Sequence, residues 1–367
     1  MNASLVAGCR AGFEHEAAAD LGRAAALLGT TLDVAPVPGA GWVAGHLASL
    51  PSPRALARLA GARPVFARNL IFADGPLDLR AAGIAARPDR VTPLAAAIDT
   101  LDPALHGAEW CGLYVEHPDS NEGKELSPLA RALAARLAAP LNARTKAGAP
   151  RRLHVFLPDG ATAFVGSSEA ATTPWPLGIP RIRVPRGAPS RSAAKLAEAL
   201  VVFLGDDVGD VLRPGMRAVD LGAAPGGWTW LLAKHGLRVT AVDNGPLKGP
   251  VASDPLVTHL RADGLAYRPR RPVDWLVCDI IEQPARIARL VGDWIADGDA
   301  RYAIFNLKLP MKKRDEEVTR CVRILQDRLA AAGTACDFAV RQLYHDREEV
   351  TVCLKRRDRG ARLRAQE

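Results

Sequence analysis

The stretch that most narrows the possible folds is Met216-Arg-Ala-Val-Asp220-Leu-Gly222-Ala-Ala-Pro225-Gly226-Gly227-Trp228-Thr-Trp230. Apolar Ala218 and Val219 lead into Asp220, and a bend rich in glycine and proline follows. Trp228 to Lys234 then reads as a helix with Trp228, Leu231 and Leu232 on one face. Strand, glycine-rich turn and helix in that order make the first unit of a doubly wound α/β sheet, whose ligands bind at the carboxyl ends of the strands. Lacking a Cβ, Gly222, Gly226 and Gly227 let backbone approach a ligand closely. The turn does not read G-x-G-x-x-G, so the dinucleotide fingerprint is missing. A second apolar run, Leu237 to Val242, ends in Asp243. That carboxylate falls about 20 residues past the first glycine, where such folds hold ribose hydroxyls.

A chain of 367 residues has room for two or three domains, and a hydrophobic content of 48% is enough to fill their cores. Cys9, Cys111, Cys278, Cys321, Cys336 and Cys353 are scattered, with no C-x-x-C pair. That spacing argues against a zinc site and a disulfide framework and fits a reducing cytosol, so no metal is expected. The segment Met1-Asn-Ala-Ser-Leu5 has neither a basic n-region nor a sustained apolar h-region, so no signal peptide is expected. No apolar run approaches a membrane span, and a cytoplasmic protein is expected. The net charge of +8 suits a polyanionic partner, although a composition rich in Ala and Arg produces the same excess without one.

From the first residue, Ser4 to Cys9 is a predicted strand and Phe13 to Leu28 a helix ended by Gly29. Thr31 to Val37 and Gly41 to Leu47 are strand candidates about the turn Pro38-Gly39-Ala40-Gly41. Residues 1–51 thus read as a small accessory α/β unit. A second unit, 52–170, has strand-like Pro64 to Ala73, a short helix Leu94 to Leu101 and a strand Glu109 to Glu116. A polar loop from His117 to Lys124, a helix Ser127 to Leu137 and strands Leu153 to Leu157 and Ala163 to Val165 complete it. This layout resembles the THUMP domain of RNA-modifying enzymes. Arg144, Lys146, Arg151 and Arg152 face either phosphates or water.

Pro174, Pro176, Gly178, Pro180, Pro185 and Gly187 break regular structure in a joint at 171–188, where Arg181, Arg183 and Arg186 alternate with other residues. Ser190 or Ser192 then N-caps a helix running to about Phe203. Lys195 sits on its first turn, the end where a cation is disfavoured, and so calls for a negative partner. Beyond Asp243, predicted strands end at Asp263, at Cys278-Asp279 and at Lys308. Helices are expected at Gln283 to Asp297 and Arg314 to Ala332, and further strands at Asp337 to Gln342 and Val350 to Leu354. Charged residues delivered repeatedly to the carboxyl edge of one sheet are the mark of a site.

Asp220 with the Pro-Gly-Gly turn resembles the S-adenosylmethionine site of methyltransferases. Lys195, Asp279, Lys308 and Glu349 match the Lys-Asp-Lys-Glu pattern of Rossmann-like 2′-O-ribose RNA methyltransferases. Cys9-Arg-Ala-Gly-Phe13-Glu, Ala188-Pro-Ser-Arg-Ser192, Val242-Asp-Asn-Gly-Pro246, Phe305-Asn-Leu-Lys-Leu-Pro-Met-Lys-Lys-Arg314 and Gln342-Leu-Tyr-His-Asp-Arg-Glu-Glu-Val-Thr-Val352 are similar to the ribosomal RNA large subunit methyltransferase M family. The resemblance implies an α/β chain: a ferredoxin-like unit and a THUMP-like α+β domain before a Rossmann-like methyltransferase domain at 189–356, with a basic tail at 357–367. It implies methyl transfer from S-adenosylmethionine to the ribose 2′-hydroxyl of a cytidine in 23S ribosomal RNA, free or in a precursor of the large subunit. By the same resemblance, Lys195, Asp279, Lys308 and Glu349 are catalytic. Ser192, Gly222, Ala224, Pro225, Gly226, Gly227, Trp228, Asp243, Asp263 and Asp279 would hold the cofactor, with Asp263 toward the adenine. Ala224 departs from the family's expected cysteine, which a pocket lined by backbone tolerates. Glu348 and Glu349 are adjacent and fall on opposite faces of a strand, and Glu349, directly before Val350, is the one assigned to the tetrad.

A ribose hydroxyl needs a base, and Lys308 is assigned that role by resemblance and by its strand-end position. A neutral lysine near pH 7 requires a fall of roughly three units from about 10.4, which Lys195 and burial favour and Asp279 and Glu349 oppose. A charged Lys308 would instead orient the hydroxyl and stabilise the developing oxyanion. Lys312, Lys313 and Arg314 are expected phosphate contacts. The rival readings are a nicotinamide dehydrogenase, which has no use for the tetrad, and a non-catalytic RNA-binding or ribosome-assembly protein with a relic methyltransferase fold.

Overall fold

Apolar runs punctuated by glycine and proline fold here into two open sheets, each layered with helices. The computed structural model describes residues 3–80, 89–183 and 187–357. Pro185 and Arg186 of the joint, and the basic tail from residue 358 onward, lie outside them. The chain divides into Met1–Ile179 and Pro180–Glu367.

In the first unit the strands are β1 (Ala3–Gly8), β2 (Leu32–Val34), β3 (Trp42–Leu47), β4 (Ile71–Asp78), β5 (Leu113–Glu116), β6 (Arg151–Phe156) and β7 (Thr162–Glu169). They form one seven-stranded sheet in the order β2-β3-β1-β4-β7-β6-β5. All neighbours are antiparallel except β5 and β6. Residues 1–51 and 52–170 therefore share a sheet, joined where β1 pairs with β4. Helix α1 (Glu14–Leu28) ends at Gly29, whose φ of 76° lets its N–H bond back to the last turn. The strand expected from Pro64 begins only at Ile71. The N–H groups of Val65, Phe66 and Ala67 are taken instead by the buried carboxylate of Asp20 at 2.6–3.1 Å. A side chain replaces the ladder there, so the apolar pattern is that of a buried loop. The strand expected over Thr31 to Val37 shrinks to Leu32–Val34, before Pro36 and Pro38, which have no N–H to give.

Helix α2 (Ser127–Leu141) packs on this sheet through Leu133, Leu137 and Leu141. The four basic residues singled out in this unit have partners within it. Arg144 lies over Trp110, Lys146 pairs with Glu109, Arg151 with Glu169, and Arg152 lies over Tyr114.

The second unit carries β8 (Arg217–Leu221), β9 (Arg238–Val242), β10 (Val257–Leu260), β11 (Val273–Cys278), β12 (Ala300–Lys308), β13 (Cys336–Arg341) and β14 (Glu349–Arg356). Their order is β10-β9-β8-β11-β12-β14-β13. The first five run parallel and β14 returns antiparallel to both its neighbours. Order reverses between β8 and β11, the topological switch point at which open α/β sheets bind ligands. The principal helices are α3 (Ala193–Leu204), α4 (Gly227–Lys234), α5 (Pro284–Asp297) and α6 (Arg314–Ala331). At the heart of the core Trp275 stacks on Tyr302 with ring centroids 4.8 Å apart and donates its N–H to the Val211 carbonyl at 2.8 Å. Among the described residues no helix is long and apolar enough to cross a membrane.

Candidate active site

Register builds the site. Pairing β12 with β14 sets Asn306 opposite Thr351 and Lys308 opposite Glu349. Positions two apart share a face, so all four polar side chains lie on one side of the sheet, while Phe305, Leu307, Val350 and Val352 fill the core on the other. A slip of one residue would exchange the two sets. β11 hands over to Asp279 beside them, and α3 brings Lys195 in from above its first turn.

The four charged groups close into a ring. Lys308 Nζ donates to Asp279 Oδ1 and to Glu349 Oε2. Lys195 Nζ pairs with Glu349 Oε1 and lies 3.7 Å from Asp279 Oδ2. These partners account for a lysine at the amino end of a helix. Side-chain exposure runs from 7% at Glu349 to 21% at Lys308, so the ring is largely desolvated yet open to a substrate. Burial by itself would lower the Lys308 pKa, but Asp279 and Glu349 outweigh it and hold the group above 10.5. Burial likewise works to raise Glu349, and the two lysines overcome it and hold that carboxyl below its usual value. Lys308 is thus held as an ammonium and Glu349 as a carboxylate, with Lys195 and Asp279 completing the ring.

Glu348, the alternative to Glu349, turns outward and accepts from Arg314 Nη2 at 2.8 Å. Arg314, expected among the phosphate contacts, is consequently only 12% exposed, whereas Lys312 and Lys313 are exposed. Lys313 holds a left-handed φ of 59° at the entry to α6 and its amine lies 3.3 Å from Glu316.

A cavity of about 310 Å³ opens in front of the ring. Its wall includes Lys195, Asp279 and Lys308, with Glu349 behind them. Ser190, Ser192, Gly222, Ala224, Pro225 and Trp228 line the remainder, together with Asp220 and Ile281. Gly222 holds φ 78°, and a Cβ there would lie 2.6 Å from Ile280 Cγ1. At Gly227 a Cβ would strike the Ser190 and Ser192 hydroxyls, so its absence lets the start of α4 meet the start of α3. Ser192 occupies the N-cap position of α3 as expected, but its hydroxyl makes no capping bond and instead bonds that of Ser190 at 2.6 Å. The Ser192 carbonyl accepts from Trp228 Nε1 at 2.9 Å, fixing the helix that carries Lys195. Ala224 contributes its backbone: its N–H donates to Asp243 Oδ2 at 2.9 Å. That contact is indifferent to alanine or cysteine. Asp243 also accepts from the Gly245 N–H at 2.7 Å, leaving further lone pairs for a hydroxyl. Asp263 is exposed and accepts from the Leu265 N–H at 2.8 Å. Gly226, Gly227, Asp243 and Asp263 are not among the residues that line the cavity.

Two residues were given no role of their own from sequence: Asp220, noted only with the Pro-Gly-Gly turn, and Asn306, noted only inside a longer motif. Asp220 is fully buried, and burial pushes its carboxyl up to about 7, partly offset by the Thr229 hydroxyl donating at 2.6 Å. Its signal was an acidic residue ending an apolar strand. Asn306, two residues before Lys308, donates from Nδ2 to Asp279 Oδ1 at 2.9 Å. Cys278 is adjacent to Asp279, but burial pushes its thiol up to about 12, which excludes a ready thiolate nucleophile.

A doubly wound sheet with this strand order and a charged ring at its carboxyl edge defines a Rossmann-like methyltransferase domain, and the FtsJ-like methyltransferase family model matches residues 188–298. Residues 89–169 match the model of the N-terminal region of ribosomal RNA large subunit methyltransferase M. Proteins of that name are similar over nearly the whole chain. The relative from Methylococcus capsulatus (strain ATCC 33009 / NCIMB 11132 / Bath) is 48% identical over 95% of this chain and 97% of its own. Those from Azoarcus sp. (strain BH72) and Thauera aminoaromatica are 46% and 44% identical, with coverage of 95% and 96% of both chains respectively. The chain belongs to the ribosomal RNA large subunit methyltransferase M family.

Proposed function

We propose that the protein transfers a methyl group from S-adenosylmethionine to the ribose 2′-hydroxyl of a cytidine in 23S ribosomal RNA. The observation that carries this is the Lys195–Asp279–Lys308–Glu349 ring at the edge of a cavity beside the glycine turn. The cavity is of the size class that takes a cofactor, and it offers backbone amides, serine hydroxyls and a tryptophan edge. Ser192, Gly222, Ala224, Pro225 and Trp228 would hold the donor there, with Asp243 and Asp263 toward its nucleoside. The bound sulfonium supplies an electrophilic methyl carbon and a neutral thioether as leaving group.

The chain's task is to place the sugar oxygen in line and receive its proton. Lys308 is an ammonium in the resting ring, so it acts as a conduit. It takes the hydroxyl proton as it passes one of its own to Asp279 or Glu349, to both of which it is bonded. The oxygen lone pair forms the new C–O bond, and the electrons of the broken C–S bond remain on sulfur. The ring starts neutral and ends with one positive charge, gained as the sulfonium charge disappears, so the buried site carries the same total throughout. In the resting ring Lys308 and Lys195 together hold Glu349 ionised, and Asp279 aligns the two amines. Lys312 and Lys313 are proposed phosphate contacts. Arg314 shapes their loop through Glu348, and the first unit is the proposed RNA-binding module, divided as 1–51 and 52–170. A protein acting on this substrate is expected in the cytoplasm.

The test is methylation of separate 23S RNA fragments by the purified full chain with labelled donor, followed by nucleoside mapping. Label in 2′-O-methylcytidine is expected. Label on a base refutes the acceptor, and no label on any fragment or on precursor particles favours the assembly-protein reading.

A further inference from the structure

Behind the ring, and away from the cavity, lies a second polar chain that the reaction as described does not use. Thr351 Oγ1 is 2.9 Å from Asn306 Oδ1, and it is 3.2 Å and 2.9 Å from the two carboxyl oxygens of Asp346. Asp346 is completely buried, and its Oδ2 also accepts the Leu343 N–H at 2.9 Å. Among the described residues it forms no ion pair, and the charged groups that act on it most, Glu349 on β14 and Glu198 on α3, are of its own sign.

The protons in this chain can be counted. Asp279 is bonded to Lys308 and accepts at Oδ1, so Asn306 must present its N–H₂ to it and its carbonyl to Thr351. The single Thr351 proton then goes to Asn306 Oδ1. What remains between Thr351 and Asp346 is a hydroxyl with only lone pairs to offer, facing a carboxyl at hydrogen-bond distance. A bond exists there only if the proton comes from Asp346. The reverse direction turns the Asn306 oxygen toward Asp279, setting acceptor against acceptor at 2.9 Å.

We propose that Asp346 is a neutral carboxylic acid in the folded protein and is the head of a one-way hydrogen-bond chain, Asp346 to Thr351 to Asn306 to Asp279, that orients the ring from behind. Burial pushes the Asp346 carboxyl well above its usual value, in the same sense. The loop that carries Asp346 is tied to the helix of Lys195 as well. Glu198 accepts from the backbone N–H groups of Tyr344 and His345 at 2.7 and 2.9 Å and contacts His345 Nδ1 at 2.6 Å. Asp346 and Glu198 thus brace the segment that delivers Glu349. All are positioning residues, acting through Asp279 and Glu349.

The inference rests on the ring being the reaction site, and its test separates the two. Infrared difference spectra of the ligand-free full chain against Asp346→Asn are expected to show a protonated carboxyl band for residue 346 persisting at pH 8. A carboxylate band there overturns the proposal, whatever RNA the protein methylates. With activity as readout, Thr351→Val leaves Asn306 free to turn. It is expected to lower kcat tenfold to a hundredfold with donor KM within twofold, since misplacement of a reacting group by about 1 Å costs about 10²-fold. Thr351→Ser restores the rate. A Thr351→Val enzyme with wild-type kcat, or a Thr351→Ser enzyme that stays impaired, refutes the relay. A wild-type chain that shows the acid band but methylates no RNA refutes the proposed function alone.

Discussion

Glu349→Gln is the substitution that isolates the charge balance of the ring. The side chain is 7% exposed, it bridges both lysines, and glutamine preserves its shape. Removing its charge leaves Lys195 and Lys308 against Asp279 alone, so the resting ring rises from neutral to one positive charge, and to two once the hydroxyl proton arrives. Two unit charges about 4 Å apart interact by about 4 kcal/mol at an effective dielectric of about 20. The lysines retain some solvent contact, so the expected rise in the barrier is about 2–4 kcal/mol, a loss of roughly 30-fold to 1,000-fold in rate. The assay is single-turnover methyl transfer to RNA at saturating donor, with donor affinity measured separately by calorimetry. Glu348→Gln, which breaks only the half-exposed contact to Arg314, is the control and is expected to stay near the wild-type rate. A Glu349→Gln enzyme within threefold of wild type refutes the argument that the ring's neutrality matters.

Three further outcomes are expected. Because Lys308 is held above its ordinary pKa, a mechanism that needed the neutral amine in the resting enzyme would gain about tenfold in kcat per pH unit up to pH 9; the conduit mechanism instead predicts a flat profile from pH 6 to 9. Substituting Lys312 and Lys313 together by alanine is expected to weaken RNA binding and flatten its salt dependence by about 0.7 in log–log slope per lost phosphate contact, and an unchanged slope rules those contacts out. Asp220, at about 7 in the fold against about 3.9 unfolded, holds a proton that the unfolded chain has released; its contribution to stability is full below about pH 4 and is lost as pH rises through 7. Thermal unfolding should therefore show Asp220→Asn gaining on the wild type between pH 5 and 8, and parallel curves would contradict the buried-acid assignment.

The strand ends were legible in the sequence because each is an apolar run stopped by a charged residue, and Lys195, Asp279, Lys308 and Glu349 do converge in space. Strand alternation set Glu348 and Glu349 on opposite faces, and the place of Glu349 directly before Val350 decided between them. What the sequence did not disclose depends on pairing between distant segments. Asn306 and Thr351 look like ordinary polar residues until β12 and β14 are set in register. Asp346 reads as a turn aspartate until its burial is known. Val65 and Phe66 imitate a strand because nothing local announces that Asp20 takes their N–H groups. The continuity of the first sheet rests on the β1–β4 contact, which no local pattern encodes. Arg314 looked as available as its two lysine neighbours, yet its partner Glu348 lies far along the chain.

If the ring performs the transfer, the proton leaves the sugar through Lys308. The most direct measurement is the single-turnover rate of Lys308→Ala with full-length RNA, in a variant whose fold and donor affinity are verified independently. Loss of a positioned proton acceptor predicts a fall of about 10²- to 10⁴-fold with donor affinity retained. Turnover within a few fold of wild type would contradict the claim.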